Sequence, residues 1–384
     1  MSVSLQQKCT NSILNRTEHS TMTMTDSDHL FLREAIELAA GGRFTTAPNP
    51  CVGCVIVKQG QILGRGFHVR PGEGHAEVNA LQDAHDRGHD VRGSTVYVSL
   101  EPCAFVGRTP ACARTLVEAQ VARVVIAMLD PHPKVAGQGV AILRDHGIEV
   151  VVRDVPEAQP LVRGYVKRVT RGLPWIRIKT ASSLDGAVAL ADGQSQWITG
   201  PQARQDVQYW RASVDAIITG VGTVLADNPG LTVRDPAFED APQPLRVVLD
   251  RQLRTPVQAQ LCQDGHPTLL AHAADVAVPE QLSQSAQLSF HALAPQDPLS
   301  ALLQHLAELG CNDVLVEAGP QLVGSFLAAD LWDEWISYLA PKWLGDQSRQ
   351  LAAFDLPQLA DAPSAKVVDV RRFGEDVRLI LERP

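Results

Sequence analysis

The chain carries no excess of positive charge, no long apolar run and few aromatic residues, and each lack removes a class of function. Its 34 Lys and Arg face 43 Asp and Glu, which leaves a formal net charge of −9 and a pI near 5.7. That balance argues against a general binder of nucleic acid or of membrane surfaces. Aromatic residues make up only 5% of the chain, which counts against a base-stacking surface. No apolar stretch approaches the roughly 18 residues of a membrane span. The first 25 residues are polar, rich in Ser, Thr and Gln, and lack the apolar segment of a signal peptide. Residues 1–25 are expected to be a disordered extension, with Met22 and Met24 just before the folded part. Cysteine is sparse and odd in number, at seven, which fits a reducing, cytoplasmic protein rather than a disulfide scaffold. The G-x-G-x-x-G dinucleotide fingerprint is missing as well.

What remains is an ordinary globular composition, 45% hydrophobic and 20% charged over 384 residues, long enough for two domains with separate cores. Asp28 to Ala40 has apolar residues at helical spacing and stops at Gly41-Gly42. Cys51 to Lys58 and Gln61 to His68 read as a hairpin around Gln59-Gly60. A helix starts at His75, and the strand Thr95 to Leu100 delivers Glu101-Pro102-Cys103. Thr109-Pro110 reads as a helix opening, threonine as N-cap and proline first in the helix. The strand Arg123 to Met128 and a further helix and strand end near Arg153. Strands alternating with helices predict a three-layer α/β unit over residues 26–155. Residues 156–174 read as a linker, and 175–384 as a second α/β unit. There the expected strands are Trp175 to Ala181, Asp215 to Thr219, Leu245 to Asp250, Thr268 to Ala271, Asp313 to Glu317 and Glu334 to Ala340. The expected helix is Pro201 to Ala212, while Gly220-Val221-Gly222-Thr223 reads as a loop. The regions Pro236 to Pro244 and Ala273 to Pro298 carry little legible chemistry, and no internal repeat relates the two units.

The most informative motif is His75-Ala76-Glu77, followed 26 residues after the glutamate by Pro102-Cys103 and nine later by Cys112. One imidazole and two thiolates hold zinc with a fourth position open, the arrangement that permits chemistry rather than closing the site. With a glutamate two residues from the histidine, this is the pattern of zinc nucleobase deaminases. His75, Cys103 and Cys112 are therefore the expected metal ligands, and Glu77 the proton carrier. Cys112 in a first helical turn feels the positive helix end, which favours its thiolate. The chemistry implied is hydrolytic removal of an exocyclic amino group from a ring. Cys51-Val52-Gly53-Cys54, by contrast, lies in a hydrophobic strand pattern that points its two thiols to opposite faces. These read as small core residues.

In the second unit, Gly220-Val221-Gly222-Thr223 with Asp227-Asn228-Pro229, and then Glu317-Ala318-Gly319, stand at strand ends. Pro320 opens a helix after the second of these, and its unpaired N–H groups would suit an anion. A plain tight turn is the competing reading.

Three stretches carry a family resemblance. They are Thr45-Thr46-Ala47-Pro48-Asn49-Pro50-Cys51-Val52-Gly53, the eight residues Ala104 to Ala111 between the ligand cysteines, and Asp130-Pro131-His132-Pro133-Lys134-Val135-Ala136-Gly137-Gln138-Gly139. Cytidine-type enzymes have P-C-x-x-C instead. Together these stretches closely resemble the bifunctional riboflavin-biosynthesis deaminase–reductases, from about residue 28 to the C-terminus. The resemblance implies a cytidine-deaminase-like domain followed by a dihydrofolate-reductase-like α/β domain. It implies a phosphorylated diaminopyrimidine substrate, zinc in the first site and NADPH in the second. By it, Asn49 and His68 lie near the substrate in the first site. Ala181, Trp197, Thr223, Asp227 and the segment Gly319, Pro320, Gln321, Leu322, Val323, Gly324, Ser325 hold NADPH. Ser195, Arg211, Leu231, Arg234 and Glu317 meet the substrate. A guanidinium fork suits phosphate oxygens, which makes Arg211 and Arg234 the phosphate candidates, although each alone reads as a solvated surface charge. One position departs: Phe105 stands where that family has a histidine that meets substrate, and a weaker first step is the expected consequence. No nucleic-acid or membrane partner is expected, and a homo-oligomer is. Two further readings stay open here, a chain with only one active half and a nucleic-acid-editing deaminase with an appended domain.

Overall fold

The computed structural model describes residues 26–105 and 111–384. The extension 1–25 and the Thr109-Pro110 helix opening lie outside them. In the first unit α1 (Asp26–Ala39) precedes a hairpin of β1 (Gly53–Lys58) and β2 (Gln61–Phe67), turned by Gln59 and Gly60 at φ 52° and 77°. Then follow α2 (Ala76–Asp86), β3 (Thr95–Val98), α3 (Cys112–Glu118), β4 (Arg123–Ile126), α4 (Gln138–Asp145) and β5 (Glu149–Val152). The sheet order is β2-β1-β3-β4-β5, with β3, β4 and β5 parallel. Alternation along each strand makes three layers. Cys54, Ile56, Val96, Val98 and Val124 face α2, α3 and α4, while Val55, Val57, Tyr97 and Val125 face α1. Cys51 and Cys54 are both buried and unbridged. The helix carrying Cys112 is capped by Ala111, with no side-chain cap.

The connector 156–174 is itself helical, as α5 (Gln159–Arg171) ended by Gly172 at φ 67°. Beyond it come β6 (Trp175–Ser183), β7 (Ala187–Ala189), α6 (Pro201–Ala212), β8 (Ala216–Gly220) and α7 (Val221–Asp227). Next are β9 (Leu245–Leu249), the one-turn helices α8 (Gln260–Gln263) and α9 (Glu280–Ser283), and between them β10 (Thr268–Ala273). The chain ends with β11 (Leu288–Leu293), α10 (Pro298–Glu308), β12 (Asp313–Val316), α11 (Pro320–Ala328), β13 (Glu334–Ala340), β14 (Arg349–Gln350), β15 (Lys366–Phe373) and β16 (Asp376–Glu382). Nine strands form one sheet, β11-β10-β9-β8-β12-β6-β13-β16-β15, and β14 pairs with β7 apart from it. One face packs Ile176, Ile178, Ile218, Val314 and Val316 with Leu302, Leu306 and Phe326 of α10 and α11. The other packs Ile217, Leu315 and Ile336 under Val207 and Trp210 of α6. The sequence 220–223, expected as a loop, opens α7 because Val221 and Val224 bury into a satellite core. The region 273–298, with no strand expected, holds β11, a parallel edge strand on β10. Among the described residues no helix is long and apolar enough to cross a membrane.

Candidate functional site

In the first unit the chemistry gathers where β3 ends and two helices begin. His75 is the N-cap of α2, with extended backbone at φ −72° and ψ 170°, and Cys112 is the first residue of α3. Cys103 follows β3, and its sulfur accepts the Cys112 N–H at 3.3 Å. His75 Nδ1 lies 3.6 Å from Cys103 Sγ and 3.2 Å from Cys112 Sγ. The three donor atoms lie within 4.8 Å of one another. Tetrahedral bonds of about 2.3 Å to sulfur and 2.0 Å to nitrogen set such donors about 3.5 Å apart, so the residues present fit a metal with one position left open. Hydrogen bonding from Cys112 is the largest influence on Cys103, and against the cost of burial it holds that thiol low, at about 4. Cys112 moves the opposite way because it supplies the shared proton. A bound cation takes that proton's place.

Glu77 stands in the first turn of α2, 3% exposed. Burial, reinforced by the neighbouring Cys103 charge, pushes its carboxyl up to about 7. A carboxyl at that value both gives and takes protons near neutrality. Glu101, by contrast, serves the frame: its carboxylate accepts the N–H groups of Asp130, Gly137 and Val140 at 3.3, 3.0 and 3.2 Å. Asn49 and His68 come together beside the metal set. His68 Nδ1 lies 3.1 Å from the Gly74 carbonyl, which can only accept, so Nε2 of the neutral ring accepts the Asn49 amide at 3.0 Å. Burial lowers the His68 imidazole and keeps it neutral. These residues line a cavity of about 590 Å³ with Phe105 and His132, whose rings are 6.3 Å apart.

The second unit assembles two strand-end turns. A Cβ placed on Gly319 would lie 3.8 Å from the Thr223 hydroxyl, and one on Gly220 would lie 3.7 Å from Leu322. The start of α11 therefore adjoins the start of α7. Pro320 has no N–H to offer, and the Val323 N–H is already bonded to the Gly319 carbonyl, so Gln321 and Leu322 supply the unpaired donors of this turn. Val323 is wholly buried, and Gly324 packs so closely on the Ala353 carbonyl that a Cβ would fall 2.0 Å from it. Ser325 bonds back to the Gln321 carbonyl at 2.9 Å. Val323 and Gly324 are thus packing, while Gln321 and Ser325 are exposed. Ser195 donates to Asp227 at 3.5 Å. Trp197 is 63% exposed under the Arg204 guanidinium, 4.5 Å from its ring. Ala181 lies in β6, opposite Tyr338 of β13.

Arg211 is not a solvated charge. Its Nε and Nη2 donate to Glu317 at 2.6 and 3.1 Å, and its Nη1 donates to the Thr232 carbonyl at 3.1 Å. Lys179, which sequence reasoning missed, completes the cluster 3.8 Å from Glu317. Its signal was only a charge in an apolar strand. Burial lowers the Lys179 amine. Burial alone would raise Glu317, but the Arg211 and Lys179 charges hold it at about 2. Leu231 has φ 50° and buries its side chain in the α6 core. Arg234 is exposed, and its guanidinium makes no hydrogen bond or ion pair among the described residues.

A family model described as the RibD C-terminal domain matches residues 174–379, and one for the cytidine and deoxycytidylate deaminase zinc-binding region matches residues 25–128. The chain is 44% identical to riboflavin biosynthesis protein RibD of Escherichia coli, covering 92% of this chain and 99% of that one. It is 41% identical to the RibD of Haemophilus influenzae, over 93% and 98%. Among solved structures, a RibD of Acinetobacter baumannii has a TM-score of 0.87 at 43% identity, covering 93% of this chain and 99% of that one. A diaminohydroxyphosphoribosylaminopyrimidine deaminase/5-amino-6-(5-phosphoribosylamino)uracil reductase of Thermotoga maritima has 0.83 at 33%, with the same coverage.

Proposed function

The chain belongs to the RibD family, the bifunctional deaminase–reductases of riboflavin biosynthesis, and from that membership we propose how its residues divide the two reactions. The first site deaminates 2,5-diamino-6-ribosylamino-4(3H)-pyrimidinone 5′-phosphate. The second reduces the ribosyl group of the product to ribityl, giving 5-amino-6-ribitylaminouracil 5′-phosphate. His75, Cys103 and Cys112 hold zinc, which when bound lowers the pKa of a coordinated water to about 7. Glu77 takes one proton of the attacking water at its carboxylate and delivers it to the ring nitrogen, then carries the second proton of that water to the amine, which leaves as ammonia. Asn49, fixed by neutral His68, orients the pyrimidine. Phe105 offers an apolar face where a polar contact is expected.

In the second site the first turn of α11, with Thr223, Asp227, Ala181 and Trp197, receives NADPH, which supplies the hydride when bound. Glu317 and Lys179 form a buried charged pair beside that turn, fixed by Arg211, and Ser195 with Arg234 reaches the sugar phosphate. Leu231 supports this site from the core.

The observation that carries the reading is the convergence of one imidazole and two thiols within 4.8 Å of one another, with His75, Cys103 and the buried Glu77 carboxyl lining one cavity. Its test is metal removal. Replacing Cys103 or Cys112 by serine should cost zinc and deamination and leave NADPH binding nearly unchanged, because the two units have separate cores. Zinc-stripped protein that deaminated at the full rate would overturn it.

A further inference from the structure

We infer that the deaminase site is completed from outside the deaminase fold: Arg168 and Tyr165 of the connector helix α5 are positioning residues for the first reaction, each fixing one loop of its cavity. The inference rests on the deaminase reading above. The cavity is not walled by its own unit alone, for Tyr165, Arg168, Leu309 and Gly310 line it as well.

The first loop runs from Thr46 to Pro50 and carries Asn49. Arg168 Nη2 donates to the Pro48 carbonyl at 2.9 Å, and Asn312 Nδ2 donates to the same oxygen at 3.2 Å. Arg168 Nε in turn donates to Asn312 Oδ1 at 2.7 Å, so the two donors are tied to each other. The Pro48 carbonyl shares a rigid peptide plane with the Asn49 nitrogen. Gripping that oxygen therefore orients the residue that meets His68. Behind the loop stands Gly310, in the left-handed region at φ 95°, where a Cβ would come within 3.0 Å of the Pro48 ring. The turn after α10 thus presses on the loop that Arg168 pulls.

The second loop carries Asp130 and His132. Tyr165 donates to the Asp130 carboxylate, at 3.1 and 3.2 Å from its two oxygens, and the same carboxylate accepts the His132 N–H at 2.8 Å. Tyr165 and Arg168 are three residues apart on one helix face, and the Arg168 guanidinium sits 5.7 Å over the Tyr165 ring. One face of a connector therefore holds both substrate-side loops, while neither residue touches the metal set or the second site.

The test uses full-length Arg168→Ala, Arg168→Lys and Tyr165→Phe. For each, deaminase kinetics on the diaminopyrimidine phosphate, reductase kinetics on the deaminated product and zinc content are measured in one preparation. Arg168→Ala should raise the deaminase KM about tenfold, equivalent to about 1.4 kcal/mol, with kcat, zinc content and reductase kinetics unchanged. Arg168→Lys keeps a donor and should recover part of the loss. Tyr165→Phe, which keeps the ring, should raise the same KM without moving the reductase. A wild-type KM in Arg168→Ala and Tyr165→Phe, or both activities falling together, overturns the inference. An unmodified, zinc-loaded protein with no deaminase turnover would overturn the reading beneath it and the inference with it, which distinguishes the two failures.

Discussion

Glu317→Gln removes the one negative charge from a buried cluster that also holds two positive ones. The side chains of Glu317, Arg211 and Lys179 are 10%, 11% and 18% exposed, so solvent screens them little. The carboxyl sits at about 2 against an ordinary value of 4.5, which at about 1.4 kcal/mol per pH unit is worth about 3 kcal/mol of folding stability. Breaking a buried pair by removing one partner costs about 3–5 kcal/mol in other proteins, so two separate routes agree. The sign follows from the lowered value. The stabilisation is fully present above pH 4.5 and disappears as pH falls through about 2, because the unfolded chain takes up the proton first. All six tryptophans, from Trp175 to Trp343, lie in the second unit, so their fluorescence in a urea titration follows that unit even if the two unfold separately. The variant should be about 3 kcal/mol less stable at pH 7, with the gap down to roughly half by pH 3. A gap below about 1 kcal/mol at pH 7, or one that stays flat down to pH 3, would refute the electrostatic account.

Three further outcomes are expected. Glu77→Gln should keep its zinc and lose deaminase turnover by a factor on the order of 10² to 10⁴; loss of the metal would recast the residue as a ligand or a structural support. Arg234→Ala should weaken the reductase's phosphorylated substrate by about 1.5–3 kcal/mol and scarcely affect a dephosphorylated one, and equal losses on both would remove the phosphate assignment. Phe105→His should lower the deaminase KM and leave reduction alone, as Phe105 lines the first cavity; an unmoved KM would show that another group makes that contact.

The metal set was legible because its logic is local. A histidine capping one helix and a cysteine opening another announce themselves in short motifs, and the structure adds only that their atoms meet. The strands of both sheets were legible for the same reason, where alternation or an unbroken apolar run marked a buried face. The misses have a different physical origin. In α7 the residues Val-Gly-Thr-Val are poor helix formers, and burial of Val221 and Val224 overrides them. The strand β15 leaves Val367, Val368 and Val370 exposed, so its apolar residues mark no core, and β11 is likewise an edge strand with only Leu293 buried.

Charged residues were the hardest to read, and Lys179 shows why. In the sequence it interrupts the strand Trp-Ile-Arg-Ile-Lys and looks outward. Parallel pairing of β6 with β12 sets Ile178 beside Val316, which brings the next residues, Lys179 and Glu317, within 3.8 Å. Arg211 and Arg168 repeat the lesson on helices, where an arginine is ordinarily taken for a solvated face. One ends on a buried carboxylate and the other on a carbonyl 120 residues away in the other unit. A charged side chain reports its own chemistry from the sequence, but its partner is chosen by strand register and domain packing. For that reason the proposed phosphate contact rests on Arg234, whose guanidinium has no partner among the described residues, and the connector, featureless as sequence, is the element proposed to hold two loops of the first site.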